Sequence, residues 1–205
     1  MSPLSKVDSD EAGCKRSIVD DLCGVGLPVD EDRHFPKDDF IDRLTGAQYF
    51  LHRHLSAEVG DTTHIHIFKR WSSEQTRAVG LDSTITHLAA LALDAKGQPD
   101  HWFVVNQWVV GDYWLSADET VDLFRGWAFS KGSNLKNPRY RYWHEWLANL
   151  VAANLDQTIH GLLRQRDQIL DRMVDANPGV NVLEDRSIEV ICHSGGWERG
   201  RTLHA

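Results

Sequence analysis

From residue 37 onward the spacing of apolar positions changes period several times. Phe40, Leu44, Ala47, Leu51 and Leu55 recur at three- and four-residue intervals, which predicts an amphipathic helix over 37–55 with His54 at the edge of its buried stripe and His52 on the flank. From Thr62 the period shortens to two. Residues 62–70 alternate and are rich in β-branched side chains, so they read as a strand, and 83–94 read as a second one. Turn-forming residues at 95–100 lead into a third strand over 101–110, and these last two strands pair as an antiparallel hairpin.

Helical periodicity then returns. Ser116 followed by Glu119 is a capping-box signature and opens a helix through about Phe129. After a loop over 131–138, a helical pattern runs from Arg139 to about Ala176. That is long for one helix of a small domain, so a bend is expected near 154–158. Asn177-Pro178-Gly179 stops it, and 186–193 alternate again and add a strand to the sheet. The expected fold is therefore α+β: a small, mostly antiparallel sheet of about four strands over 37–193, with helices on one side, including one long C-terminal helix. Residues 1–36 are polar apart from the stripe Ile18, Val19 and Leu22. They read as a partly ordered N-terminal arm, or as one that docks on the body or on a second subunit, which leaves a homodimer open. Residues 194–205 read as a flexible tail.

Composition narrows the class. The 205 residues fit one domain, and 22 Lys and Arg against 30 Asp and Glu give a net charge of −8. An acidic chain lacks the basic patch that nucleic acid or an anionic membrane surface requires. No apolar run reaches membrane-spanning length and no secretory signal precedes the body, so the expected location is cytoplasmic. The three cysteines, Cys14, Cys23 and Cys192, are scattered and odd in number, which suits a reducing compartment. Phosphate-binding glycine loops, a nucleophile elbow, paired Cys-x-x-Cys ligands and the His-Glu-x-x-His motif are all missing.

The chemistry lies in the 11 histidines. His64 and His66 stand two apart on a predicted strand and so share a face, an arrangement from which two imidazoles can converge on one ion. His87 lies in the middle of the next strand. If the two strands pair antiparallel with His66 and His87 roughly opposite, three imidazoles come within reach of one centre, whereas a one-residue slip would separate them. His64, His66 and His87 are therefore the candidate metal ligands. His54 and Glu58, just upstream, are candidates for general acid or base, or for a further ligand. Asn106, Trp108 and His52 are candidates for contacting substrate, because an inward amide in an apolar strand must find a partner. Trp71, Trp102, Trp108, Trp114 and Trp127 either line a pocket for a flat substrate or are plain core. Arg166-Asp167 and Asp185-Arg186 read as ion-pair material at a helix–sheet seam.

Tyr49 to His54, His64 to Phe68, Thr86-His87-Leu88, Val105 to Val109 and Asp185 to Val190 together resemble an uncharacterised bacterial histidine-rich domain family over about residues 40–192. The resemblance implies a compact cytosolic domain with a histidine-rich centre and brings no reaction with it. The spacing between the upstream histidines and the strand pair departs from the family pattern, which leaves His52, His54 and Glu58 without an implied role.

The function expected from these residues is that of a small metal-dependent enzyme acting on a small organic substrate. Fe(II) would favour oxygenase-type oxidation, and Zn(II) would favour hydrolysis through a bound hydroxide. The alternatives are a non-catalytic binding module for a small molecule or protein, with structural histidines, or a haem-binding protein.

Overall fold

The chain builds one antiparallel sheet and lays its helices on one face of it. The computed structural model describes residues 17–23, 34–56, 60–78, 80, 84–131 and 138–195, with the side chains of 23, 54–56, 60–62 and 138–139 outside that description. In chain order the elements are α1 (Ile18–Cys23), β1 (Phe35–Ile41), β2 (Ala47–Ser56), β3 (Gly60–Arg70), α2 (Ser73–Ala78), β4 (Ile85–Leu93), β5 (Pro99–Val105), α3 (Gln107–Val110), α4 (Ala117–Phe124), α5 (Pro138–Asn154), a π-helical segment (Leu155–Ile159), α6 (His160–Ala176), a 3-10 turn (Val182–Glu184) and β6 (Val190–His193). The six strands follow one another across the sheet in sequence order, each antiparallel to the last. The α+β class, the antiparallel sheet and the long C-terminal helical segment are as expected.

Two of the six strands come from the segment that periodicity assigned to a helix. Residues 37–55 contain β1 and β2 instead, joined by a turn at 42–46. The turn is built by Asp42, whose Oδ1 accepts from the Leu44 and Thr45 amides, and by Gly46, at φ +75°. A side chain at position 46 would collide with the carbonyl oxygen of Arg70. Leu44, a member of the supposed helical stripe, is 83% exposed at the turn tip. The aromatic run Tyr49-Phe50 belongs in a pleated strand, where Tyr49 and Leu51 point to one side and Phe50 and His52 to the other. The third strand also differs from expectation. It stops at Val105 because Asn106 caps α3, its side chain accepting from the Gln107 amide. The long helical segment is interrupted where a bend was expected, by the π-helical Leu155–Ile159.

One face of the sheet carries the core. Tyr49, Leu51, Ile65, Ile67, Leu91, Trp102 and Val104 pack with Val121, Phe124, Trp143, Leu147 and Leu163 of the helices. The short helix α1 joins this layer through Ile18 and Leu22, and Asp21 accepts from the Trp143 indole at 3.0 Å. Alternation sends Phe50, His52, His64, His66 and Phe68 to the opposite face. Phe50, Phe68 and Ala90 are buried there, yet lie outside the helix-packed cluster.

Candidate metal centre

The site begins with a strand pairing. His52 of β2 is the direct cross-strand partner of His64 of β3, and His66 follows two residues on, so all three imidazoles rise from one face. The ring centroids lie 5.4 Å apart for His52–His64, 4.8 Å for His64–His66 and 6.4 Å for His52–His66. One ring nitrogen from each of the three falls within 4.8 Å of the others. The group could hold a metal ion. His64 and His66 are buried at 7% and 3% exposure while His52 is only half-buried, so the group is more open at its His52 end.

His87 reaches the same face by a different route. The pairing of β3 with β4 matches His66 to Ala90 and Ile67 to Ala89, then skips Leu88 and matches Phe68 to His87. The expected opposition of His66 and His87 therefore does not occur: His87 sits one rung along. The bulge at Leu88 reverses the alternation of β4 at that point and turns His87 from the helix-packed face to the histidine face. There its Nε2 lies 3.1 Å from Nδ1 of His66. Its backbone N–H donates to Asp112 Oδ2 at 2.8 Å, which fixes the strand end. Because the β4 partners of His66 and His64 are Ala90 and Ala92, the neighbouring strand contributes only methyl groups beside the two rings.

Aromatic rings wall the cluster. Phe50 lies 5.0 Å from His66 and stacks at 3.6 Å on His34, Phe103 meets His64 edge-on at 5.4 Å, and Phe68 lies 4.9 Å from His87. In this setting His66 and His87 are held neutral. Burial pushes His66 well below the ordinary imidazole range, and the neighbouring His64, His87, His52 and His34 add to the effect. His87 is pushed down to about 3, by burial first and then by the Arg166 guanidinium. A neutral imidazole keeps a lone pair for an ion, so the electrostatics favour ligation over protonation. Asp112 is the nearby acid: burial raises it to about 6, against hydrogen bonds and Arg166 that pull it down. Arg166 is itself buried, paired with Asp167 at 2.6 Å, bonded to the Leu115 carbonyl at 2.7 Å and placed 4.2 Å over the Trp114 ring.

The remaining candidates are dispersed. Asn106 is fully buried, but its side chain is spent on the fold: Nδ2 donates to the Val182 and Asp185 carbonyls at 2.9 and 3.4 Å, and Oδ1 caps α3. The Trp108 indole donates to the Ile188 carbonyl at 2.8 Å, with Arg186 lying 5.5 Å from its ring. Trp102 and Trp127 are core, and the Trp127 indole donates to the Phe68 carbonyl. His54 lies in β2 opposite Thr62, with its side chain outside the described atoms, and Glu58 lies outside the described residues. His34, Phe103 and Asp112 gave no sequence signal of membership. Phe103 joins through the pairing of β5 with β4, which sets it opposite Ala90 on the histidine face.

Fold and site together define an α+β domain whose sheet carries a histidine face able to take a metal ion. The chain belongs to the family described as Domain of unknown function (DUF6969), whose model matches residues 5–194. No curated protein and no solved structure matches it. Among the described residues, no helix is long and apolar enough to cross a membrane.

Proposed function

We propose that the protein is a small metal-dependent enzyme whose ion is held by His52, His64 and His66. The observation that carries the reading is the convergence of three imidazoles within 4.8 Å on one strand pair. Ligand nitrogens around a tetrahedral zinc stand about 3.3 Å apart, given metal–nitrogen bonds of about 2.0 Å. Closing the set therefore needs only side-chain rotation, and the paired backbones of β2 and β3 can stay in place.

His87 fits a supporting role. When His66 presents Nε2 to an ion, its Nδ1 carries the proton and donates it to Nε2 of His87, 3.1 Å away. That bond fixes both tautomer and ring orientation, as partners behind metal-bound histidines do. Three protein ligands leave positions open for water, dioxygen or a substrate oxygen. Iron would supply oxidative chemistry there, and zinc would supply hydrolysis. The aromatic wall of Phe50, Phe68 and Phe103 suits a small organic substrate and keeps bulk water from the inner ligands. His54 and Glu58 are proposed as the proton-transferring groups, since both stand within six residues of His52 along the chain.

Elemental analysis of protein purified without a polyhistidine tag tests the reading. The expected result is about one equivalent of iron or zinc per chain, removable by a chelator with a fall in melting temperature. Less than about a tenth of an equivalent, with no uptake after anaerobic Fe(II) or Zn(II), removes it.

A further inference from the structure

A concavity lies where β3 ends. The 42–46 turn packs against Lys69 and Arg70: the Arg70 amide donates to the Gly46 carbonyl at 2.7 Å and Lys69 Nζ donates to the Thr45 carbonyl at 2.5 Å. Between this turn, the start of α2 and the end of α4 is an open cleft of about 850 Å³. Arg43, Lys69 and Arg70 all line it, together with Trp71, Ser72 and Ser73.

The cations lining the cleft outnumber its carboxylates among the described residues. Among the described residues, none of the three cations forms an ion pair, and the Arg70 Nε is buried without a hydrogen-bond partner. Asp122 also lines the cleft, and its carboxylate shares the Arg125 guanidinium with Asp156, at 3.2 and 2.8 Å. Lys69 feels the Asp42 carboxylate, whose oxygens are held by the amides of Leu44, Thr45 and Ser130. Burial lowers the Lys69 pKa, against the opposing pull of Asp42. In a chain of net charge −8, three cations against one lining carboxylate in a single concavity make a local field opposite in sign to the whole.

We propose that this cleft binds a phosphate monoester of a small organic molecule. Two guanidinium groups match the geometry of a phosphoryl group, and three positive charges suit a dianion better than the single charge of a carboxylate. The hydroxyls of Ser72 and Ser73 can donate to the remaining oxygens. The organic part lies against Trp71 and against Leu44, an apolar side chain left exposed at the rim.

Isothermal titration of the full chain with phenyl phosphate, inorganic phosphate and benzoate tests the proposal. Phenyl phosphate should bind one to one, tighter than inorganic phosphate and about tenfold tighter than benzoate. Arg43→Gln, on an exposed turn where folding is not at stake, should weaken phenyl phosphate about tenfold, as should Arg70→Gln. Lys96→Gln, an exposed lysine outside the cleft, should change nothing. His64→Ala should also leave phosphate binding intact, which separates this cleft from the histidine cluster. Absence of saturable binding, indifference to Arg43→Gln, benzoate binding as well as phenyl phosphate, or loss of binding in His64→Ala would each overturn it.

Discussion

Nδ1 of His66 and Nε2 of His87 lie 3.1 Å apart although the two residues are not strand partners; a single extra residue in β4, Leu88, brings them together. Without that bulge His87 would fall opposite Lys69, on the helix-packed face. The contact predicts a graded effect on metal affinity. His87→Ala should weaken binding ten- to a hundredfold, on the order seen for partners behind metal ligands, while the stoichiometry at saturating metal is unchanged. His87→Gln, whose side-chain carbonyl can still accept from Nδ1 of His66, should recover part of the loss. Competition titration against a chromophoric chelator reads both, and equal affinity in all three proteins would break the link.

The three proposed ligands should behave as a unit. His52→Ala, His64→Ala and His66→Ala should each remove most of the bound metal, and any double variant should add little, because each change opens the same coordination sphere. His101→Ala, on the same face but two strands away and bonded to Asp100, should retain its metal. Additive losses of stability with unchanged metal content would mark the histidines as structural.

His144 on α5 offers a test of stability independent of the site. It is 2% exposed, stacks on Phe129 at 4.0 Å, and among the described residues neither ring nitrogen has a hydrogen-bond partner. An apolar ring of similar shape avoids that desolvation, so His144→Phe should leave stability unchanged or raise it by about 1 kcal/mol in urea unfolding.

The same residue predicts an acid limb. Burial lowers His144 to about 4 against the opposing pull of Asp42, so below the ordinary value of 6.5 the unfolded chain binds the proton more readily than the fold does. Its contribution is complete above about pH 6.5 and is lost progressively as the pH falls toward 4, to a total of about 3 kcal/mol. The difference in unfolding free energy between the parent and His144→Phe should widen across that window. A constant difference from pH 7 to pH 4 would contradict the assignment.

Asn106 separates a structural from a substrate-binding role. Replacing it by alanine removes the cap of α3 and two hydrogen bonds to the 182–185 segment, and should cost about 2–4 kcal/mol of stability. Thermal melts and metal content together decide the point: a destabilised protein that still binds its metal is expected.

The outline of the fold was legible where pattern and local chemistry agreed. The strict alternation of 62–70, the Ser116–Glu119 box and the stop at Asn177-Pro178-Gly179 each rest on interactions within a few residues, and each reappears at its place. Residues 37–55 were misread because apolar side chains at three- and four-residue spacing also occur in a hairpin, where Leu44 stands at the tip and faces water. Only the partner strands decide between the two, by pairing with backbone groups that a helix would satisfy internally.

By itself, the sequence determined that His64 and His66 share a face, since strand geometry leaves no alternative once the strand exists. It could not determine who joins them. His52 enters because β2 pairs with β3 in the register that sets it opposite His64, and His87 enters because Leu88 bulges out of β4. Registers and bulges are settled by how whole strands share hydrogen bonds and bury their faces. The centre is therefore a product of the assembled sheet, drawn from residues that the chain keeps 12 and 21 positions away from their partners, as His52 from His64 and His66 from His87.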